Sequence, residues 1–150
     1  MITREELTQK IVAYKTLNGK KWSEIADAVG QSKEWTTAAL LGQISLSKEQ
    51  AEAAGAAIGI NFSEEEIAQL MTVPYRGSLP SSVPTDPLIY RLYEIVMIYG
   101  TTMKSLIEEE FGDGIMSAID FDMDISRIPD PKGDRVKVTM SGKFLPYKTY

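Results

Sequence analysis

The chain has 150 residues, a net charge of −5, no cysteine and no histidine. Those absences exclude a disulfide framework, a thiolate nucleophile, an imidazole base and the usual zinc or iron site. Chemistry, if there is any, falls to Arg, Lys, Glu, Asp, Ser, Thr, Tyr or backbone groups, and the acid excess, with no segregated basic run, argues against nucleic acid or an anionic membrane as partner. A hydrophobic content of 43% suits a globular protein of one domain or two small ones. The polar start Met1-Ile2-Thr3-Arg4-Glu5-Glu6 carries no signal-peptide pattern, and no apolar run reaches transmembrane length, so a cytoplasmic location is expected.

The first seventy or so residues read as a succession of short helices. Thr3 with Glu6 forms a capping box ahead of Leu7, Ile11, Val12 and Tyr14 at helical spacing. Trp22 to Val29 is a second helix closed by Gly30, and Ser32 caps a third from Lys33 to Gly42. Ser47 with Gln50 opens an alanine-rich helix to Ile60, and Ser63 with Glu66 opens a short one to Met71. Helix, glycine turn, serine cap, helix resembles the bundles of lambda-repressor-like DNA-binding domains. The second helix of such a pair reads DNA with basic and amide side chains. Here Ser32 to Leu41 offers one lysine against one glutamate and no Arg, Asn or Gln, so the bundle is expected to be structural rather than DNA-binding.

Pro74, Gly77, Pro80, Ser81, Ser82 and Pro84 mark an extended connection over 72–85. The boundary is placed there, giving a helical domain over 1–75 and a second domain over 76–150. The next stretch, Asp86 to Gly100, opens with a capping aspartate and a proline suited to the first turn, and Gly100 is expected to end it. Ten of the twelve residues between Pro87 and Gly100 are apolar or aromatic; the other two are Arg91 and Glu94. A helix apolar nearly all round is expected to be buried, in a small protein by a partner subunit. Spacing i,i+3 puts Arg91 and Glu94 on one face, either as a structural ion pair or as part of a functional site.

Thr101 to Gly112 reads as a separate amphipathic helix, followed by a glycine turn with Ser117 close behind it, where backbone N–H groups and a hydroxyl could face an anion. From Ile119 the period changes to two: Ile119, Phe121, Met123 and Ile125 alternate with Asp120, Asp122 and Asp124. Val136, Val138 and Met140 later alternate with Arg135, Lys137, Thr139 and Ser141. This is an antiparallel hairpin, with the acidic face of one strand expected opposite the basic face of the other. Asp120-x-Asp122-x-Asp124 lacks the glycine and glutamate that a calcium loop needs, so no metal is assigned. Two strands alone are marginal, which again points to a symmetric dimer. The fold class is α+β: a repressor-like helical bundle, then a small α+β dimerisation domain with a hairpin.

Several motifs are similar to the cyanase (cyanate hydratase, cyanate lyase) family: Pro84-Thr85-Asp86-Pro87, Tyr90-Arg91-Leu92-Tyr93-Glu94, Tyr99-Gly100-Thr101-Thr102, the run from Phe111 to Ile119, and Gly142-Lys143-Phe144-Leu145-Pro146. Glu24-Ile25-Ala26 and Thr37 to Gln43 look like the same family, so the resemblance covers nearly the whole chain. It implies a lyase that converts cyanate and bicarbonate into ammonia and carbon dioxide through carbamate, serving cyanate detoxification and nitrogen supply. It implies no metal or organic cofactor, bicarbonate being a co-substrate, and homodimers assembled into a homodecamer. The family's catalytic arginine, glutamate and serine fall on Arg91, Glu94 and Ser117. The remaining alternatives are a helix-turn-helix DNA-binding regulator with an anion-sensing dimerisation domain, and a purely structural oligomerisation module.

Overall fold

Side-chain caps decide where the first helices begin. The Thr3, Ser47 and Ser63 hydroxyls accept the backbone N–H three residues on, and Glu6, Gln50 and Glu66 reach back to the cap's own N–H, so each capping box closes as its sequence predicts. In a computed structural model describing residues 2–77, 79 and 81–149, the helices are α1 (Arg4–Leu17), α2 (Trp22–Val29), α3 (Lys33–Leu40), α4 (Lys48–Ile58), α5 (Glu64–Met71) and α6 (Pro87–Phe111). Two strands follow, β1 (Gly114–Ile128) and β2 (Arg135–Pro146). Met1 and Pro80, both used in the sequence reading, lie outside the described residues.

The chain forms two compact units, Met1–Ser78 and Leu79–Tyr150. The first is a helical bundle around Leu7 and Ile11 of α1, Ile25 of α2, Leu40 of α3, Ala54 and Ile58 of α4, and Leu70 of α5, all fully buried. Gly30 closes α2 with a φ of 77°, a left-handed conformation that costs glycine little. The Arg4 guanidinium ties three segments together by donating to the carbonyls of Gln69, Ala39 and Ile44 at 2.7, 3.0 and 3.2 Å.

The second unit departs from the sequence reading in four ways. Gly100 does not end a helix: α6 runs unbroken for 25 residues, and Gly100 has no positive φ. A single mid-helix glycine costs only about 1 kcal/mol, which helix-forming neighbours on both sides outweigh. Second, no residue of α6 is buried within the chain; Leu88, Val96 and Ile98 are each more than half exposed. Third, the strand begins at Gly114 rather than at Ile119, because Gly114, Ile115 and Met116 already pair with Pro146, Leu145 and Phe144. Fourth, the charged faces are not directly opposed: Asp122 faces Ser141, Asp124 faces Thr139 and Lys137 faces Ser126. Apolar pairing sets this register instead, with Met123 against Met140 and Ile125 against Val138. The described ion pair of the hairpin lies near its loop, where Arg127 Nη1 donates to Asp134 Oδ2 at 2.9 Å.

Candidate active site

Arg91 and Glu94 are placed by the start of α6. Asp86 Oδ1 accepts from the backbone N–H of Leu88 and of Ile89, both at 2.9 Å, and Pro87 occupies the first turn. The helical phase set there puts residues three apart on one side. Arg91 Nη1 accordingly donates to Glu94 Oε2 at 3.1 Å, as the spacing predicts. The surroundings differ from the expected buried ones: the Arg91 side chain is 67% exposed and that of Glu94 39%, because nothing in the same chain covers this helix. The Arg91 Cζ also lies 5.9 Å from the Tyr90 ring centroid. A guanidinium carries five N–H donors in a planar fork, and the described bond to Glu94 engages one of its nitrogens. The group can still meet a carboxylate-like oxygen pair.

Ser117 is buried, at 6% exposure, and is the one buried residue described in α6, β1 and β2. It sits at a break in the ladder. Met116 pairs with Phe144 and Phe121 with Gly142, so the four residues from Ser117 to Asp120 stand against Lys143 alone. Such a bulge bends its strand and re-aims its side chains. Inside it the Ser117 Oγ accepts the N–H of Ile119 at 3.0 Å and of Asp120 at 2.9 Å. With both lone pairs engaged, the hydroxyl has its own O–H left to give. The sequence reading had placed Ser117 in a turn ahead of the strand and Ile119 in the alternating apolar face. Instead Ser117 lies within β1, and the bulge leaves Ile119 97% exposed. The bulge was not foreseen, although glycine inside an otherwise regular strand, here Gly142, is its usual sequence signal.

No described hydrogen bond or ion pair joins Arg91 or Glu94 to Ser117 within one chain. The helix between Arg91 and Phe111 spans about 30 Å at 1.5 Å per residue. Its aromatic link to the hairpin is at the far end, where the Phe111 and Phe144 rings stack with centroids 5.2 Å apart.

These residues all lie in a segment that known proteins share. Residues 81–149 match the family model described as cyanate lyase C-terminal domain, and residues 4–74 match the one described as cyanate hydratase, N-terminal. The chain belongs to the cyanate lyase family. It is 65% identical over 147 residues to a cyanate hydratase of Polynucleobacter asymbioticus, covering 98% of this chain and 99% of that one. It is 62% identical over 149 residues to a cyanate hydratase of Dechloromonas aromatica, covering 99% and 100%. The crystal structure of cyanase from T. urticae matches with a TM-score of 0.80 at 35% identity, over 94% of this chain and 97% of that chain.

Two further observations bear on partners. Within α3 the lysine, Lys33, stands 3.5 Å from Glu34, so the helix that would read DNA carries little net positive charge. Among the described residues no cluster of three or more acidic, histidine or cysteine side chains can hold a metal ion, and no helix is long and apolar enough to cross a membrane.

Proposed function

We propose that this chain is a cyanate hydratase, which decomposes cyanate with bicarbonate to ammonia and carbon dioxide through carbamate. The observation that carries the reading is its 65% identity, over 98% of its length, to a protein named for that activity. Arg91, Glu94 and Ser117 are the residues assigned to the chemistry.

The reactants are two small anions, and their mutual repulsion is the first obstacle. Arg91 supplies a permanent cation and a fork of donors, and Ser117 supplies a donor whose acceptor sites are already filled by Ile119 and Asp120. Glu94 holds the guanidinium in place, an arrangement supported by their 3.1 Å contact. A bicarbonate oxygen adds to the cyanate carbon, and the bicarbonate proton ends on the cyanate nitrogen. The bond between the bicarbonate carbon and the bridging oxygen then breaks, releasing one carbon dioxide and leaving carbamate. Carbamate takes up a second proton on nitrogen and falls apart to ammonia and a second carbon dioxide. Alignment of two bound reactants can contribute roughly 7–11 kcal/mol, and fixed donors facing the developing charge add to it. No organic cofactor or metal is assigned a step.

The working unit in this reading is an oligomer, a homodimer assembling to a homodecamer. The uncovered apolar surface of α6 supports it, since side chains such as Leu88, Leu92 and Val96 lie more than half exposed. So does the separation of Arg91 from Ser117 along a single chain, which a neighbouring copy would overcome. A cytoplasmic location fits a sequence without cysteine. The deciding measurement is ammonia released from cyanate with and without added bicarbonate. Bicarbonate-dependent ammonia is expected; none from a folded oligomer would refute the assignment.

A further inference from the structure

We infer that Gly142 is a positioning residue for the Ser117 hydroxyl, a role that rests on Ser117 belonging to the reacting site. Gly142 closes the ladder on the far side of the bulge, paired with Phe121. Its φ is not positive, so backbone freedom is not what the position demands. Space is. A Cβ built on Gly142 would run into the Ser117 carbonyl oxygen and come within 2.6 Å of Met116 Cγ. The first obstacle is backbone, which cannot swing aside as the end of a flexible side chain can. With any larger residue at 142, β1 must move away from β2 at Ser117 itself.

That movement acts on the hydroxyl through the bulge. Four residues of β1 against one of β2 bring the N–H groups of Ile119 and Asp120 back onto Ser117 Oγ. Those two bonds orient the side chain and occupy its lone pairs, so the serine faces a ligand as a donor only. An anion is the ligand such a group suits, and a neutral acceptor is bound less strongly. Glycine at 142 thus maintains both the position and the polarity of the hydroxyl without touching substrate.

The test is a double-mutant cycle on the intact oligomer, reading kcat and KM for cyanate and for bicarbonate. Gly142→Ala is expected to lower kcat/KM by roughly a hundredfold, the usual scale for a displacement of about 1 Å at a reacting group. Ser117→Ala is expected to lose activity to a similar degree, and the double variant to lose little more than either alone. Multiplying losses would overturn the inference, since they would mean that Gly142 acts apart from Ser117. So would a Gly142→Ala enzyme with full activity beside an inactive Ser117→Ala. A fully active Ser117→Ala would instead remove Ser117 from the site, which is failure of the underlying reading. Should Gly142→Ala not fold, hydrogen exchange decides. Peptides covering 117–121 are expected to exchange faster in Ser117→Ala than in the wild type, as the Ile119 and Asp120 amides lose their acceptor. Equal exchange would mean that the hydroxyl is not held by the bulge, and the inference would fall.

Discussion

Arg91 donates to Glu94 across 3.1 Å on a side of α6 that its own chain leaves uncovered. An exposed pair of this kind is screened by water and contributes about 0.2–1 kcal/mol to stability at most. Its loss should therefore be felt in turnover, not in folding. Arg91→Ala is expected to abolish ammonia release while shifting the thermal midpoint by only a few degrees. Arg91→Lys should restore little, because a point charge does not replace the planar fork. A fully active Arg91→Ala would end the assignment of this residue.

The apolar surface of α6 yields a separate expectation. Val96 is 57% exposed and Ile95 is 49% exposed, in a helix whose chain offers them no cover. If a second copy buries this surface, Val96→Glu forfeits about 1.5–3 kcal/mol of apolar burial per copy and adds the penalty of an unpaired carboxylate. The variant is expected to sediment as a smaller species and to lose turnover together with assembly. A monomeric Val96→Glu that kept wild-type kcat would contradict a site shared between copies.

What the sequence made legible follows how far each determinant reaches. The capping boxes at Thr3, Ser47 and Ser63 and the Arg91–Glu94 pair involve residues three apart, and each forms as its spacing predicts. Gly100 was misread because a glycine ends a helix only where the chain turns away, and here α6 continues to Phe111. The Ser117 bulge depends on the register against β2, and Gly142 acquires its meaning only once it stands opposite. Arg4 attracted no notice in sequence, because its partners are the carbonyls of Ala39, Ile44 and Gln69, which no side-chain pattern reveals. The exposure of α6 is a further case: an apolar stripe states that a surface will be covered, not which chain covers it.

In the helical unit, Gly55 is held to glycine by close packing. It lies in α4 without a positive φ, and a Cβ there would stand 2.7 Å from the Ile60 carbonyl oxygen and 2.8 Å from Phe62 Cδ2. Alanine would raise helix propensity by about 1 kcal/mol, but overpacking against backbone and a ring costs about 1–3 kcal/mol. The steric cost is the larger, because the Ile60 N–H is bonded at 2.8 Å to the Gly55 carbonyl and holds the turn close. Gly55→Ala is expected to lower the thermal midpoint of the helical unit by several degrees. A raised midpoint would show that the turn after α4 gives way freely.

Glu66 makes the stability of the same unit depend on pH. Burial alone would raise its pKa, but the Lys10 ammonium at 2.5 Å and the Ser63 N–H at 3.0 Å outweigh that and hold the carboxyl below the ordinary glutamate value. A depressed folded pKa means that the carboxylate stabilises the native state above its unfolded value of about 4.3. That contribution is lost as pH falls through the lower folded value. Glu66→Gln cannot titrate and leaves Lys10 without its counter-charge. Urea unfolding of the two proteins from about pH 7 down to about pH 3 should show the wild type more stable near neutrality, with the curves converging in acid. A gap that stayed constant across this range would mean that the carboxylate's charge is not what stabilises the junction of α1 and α5.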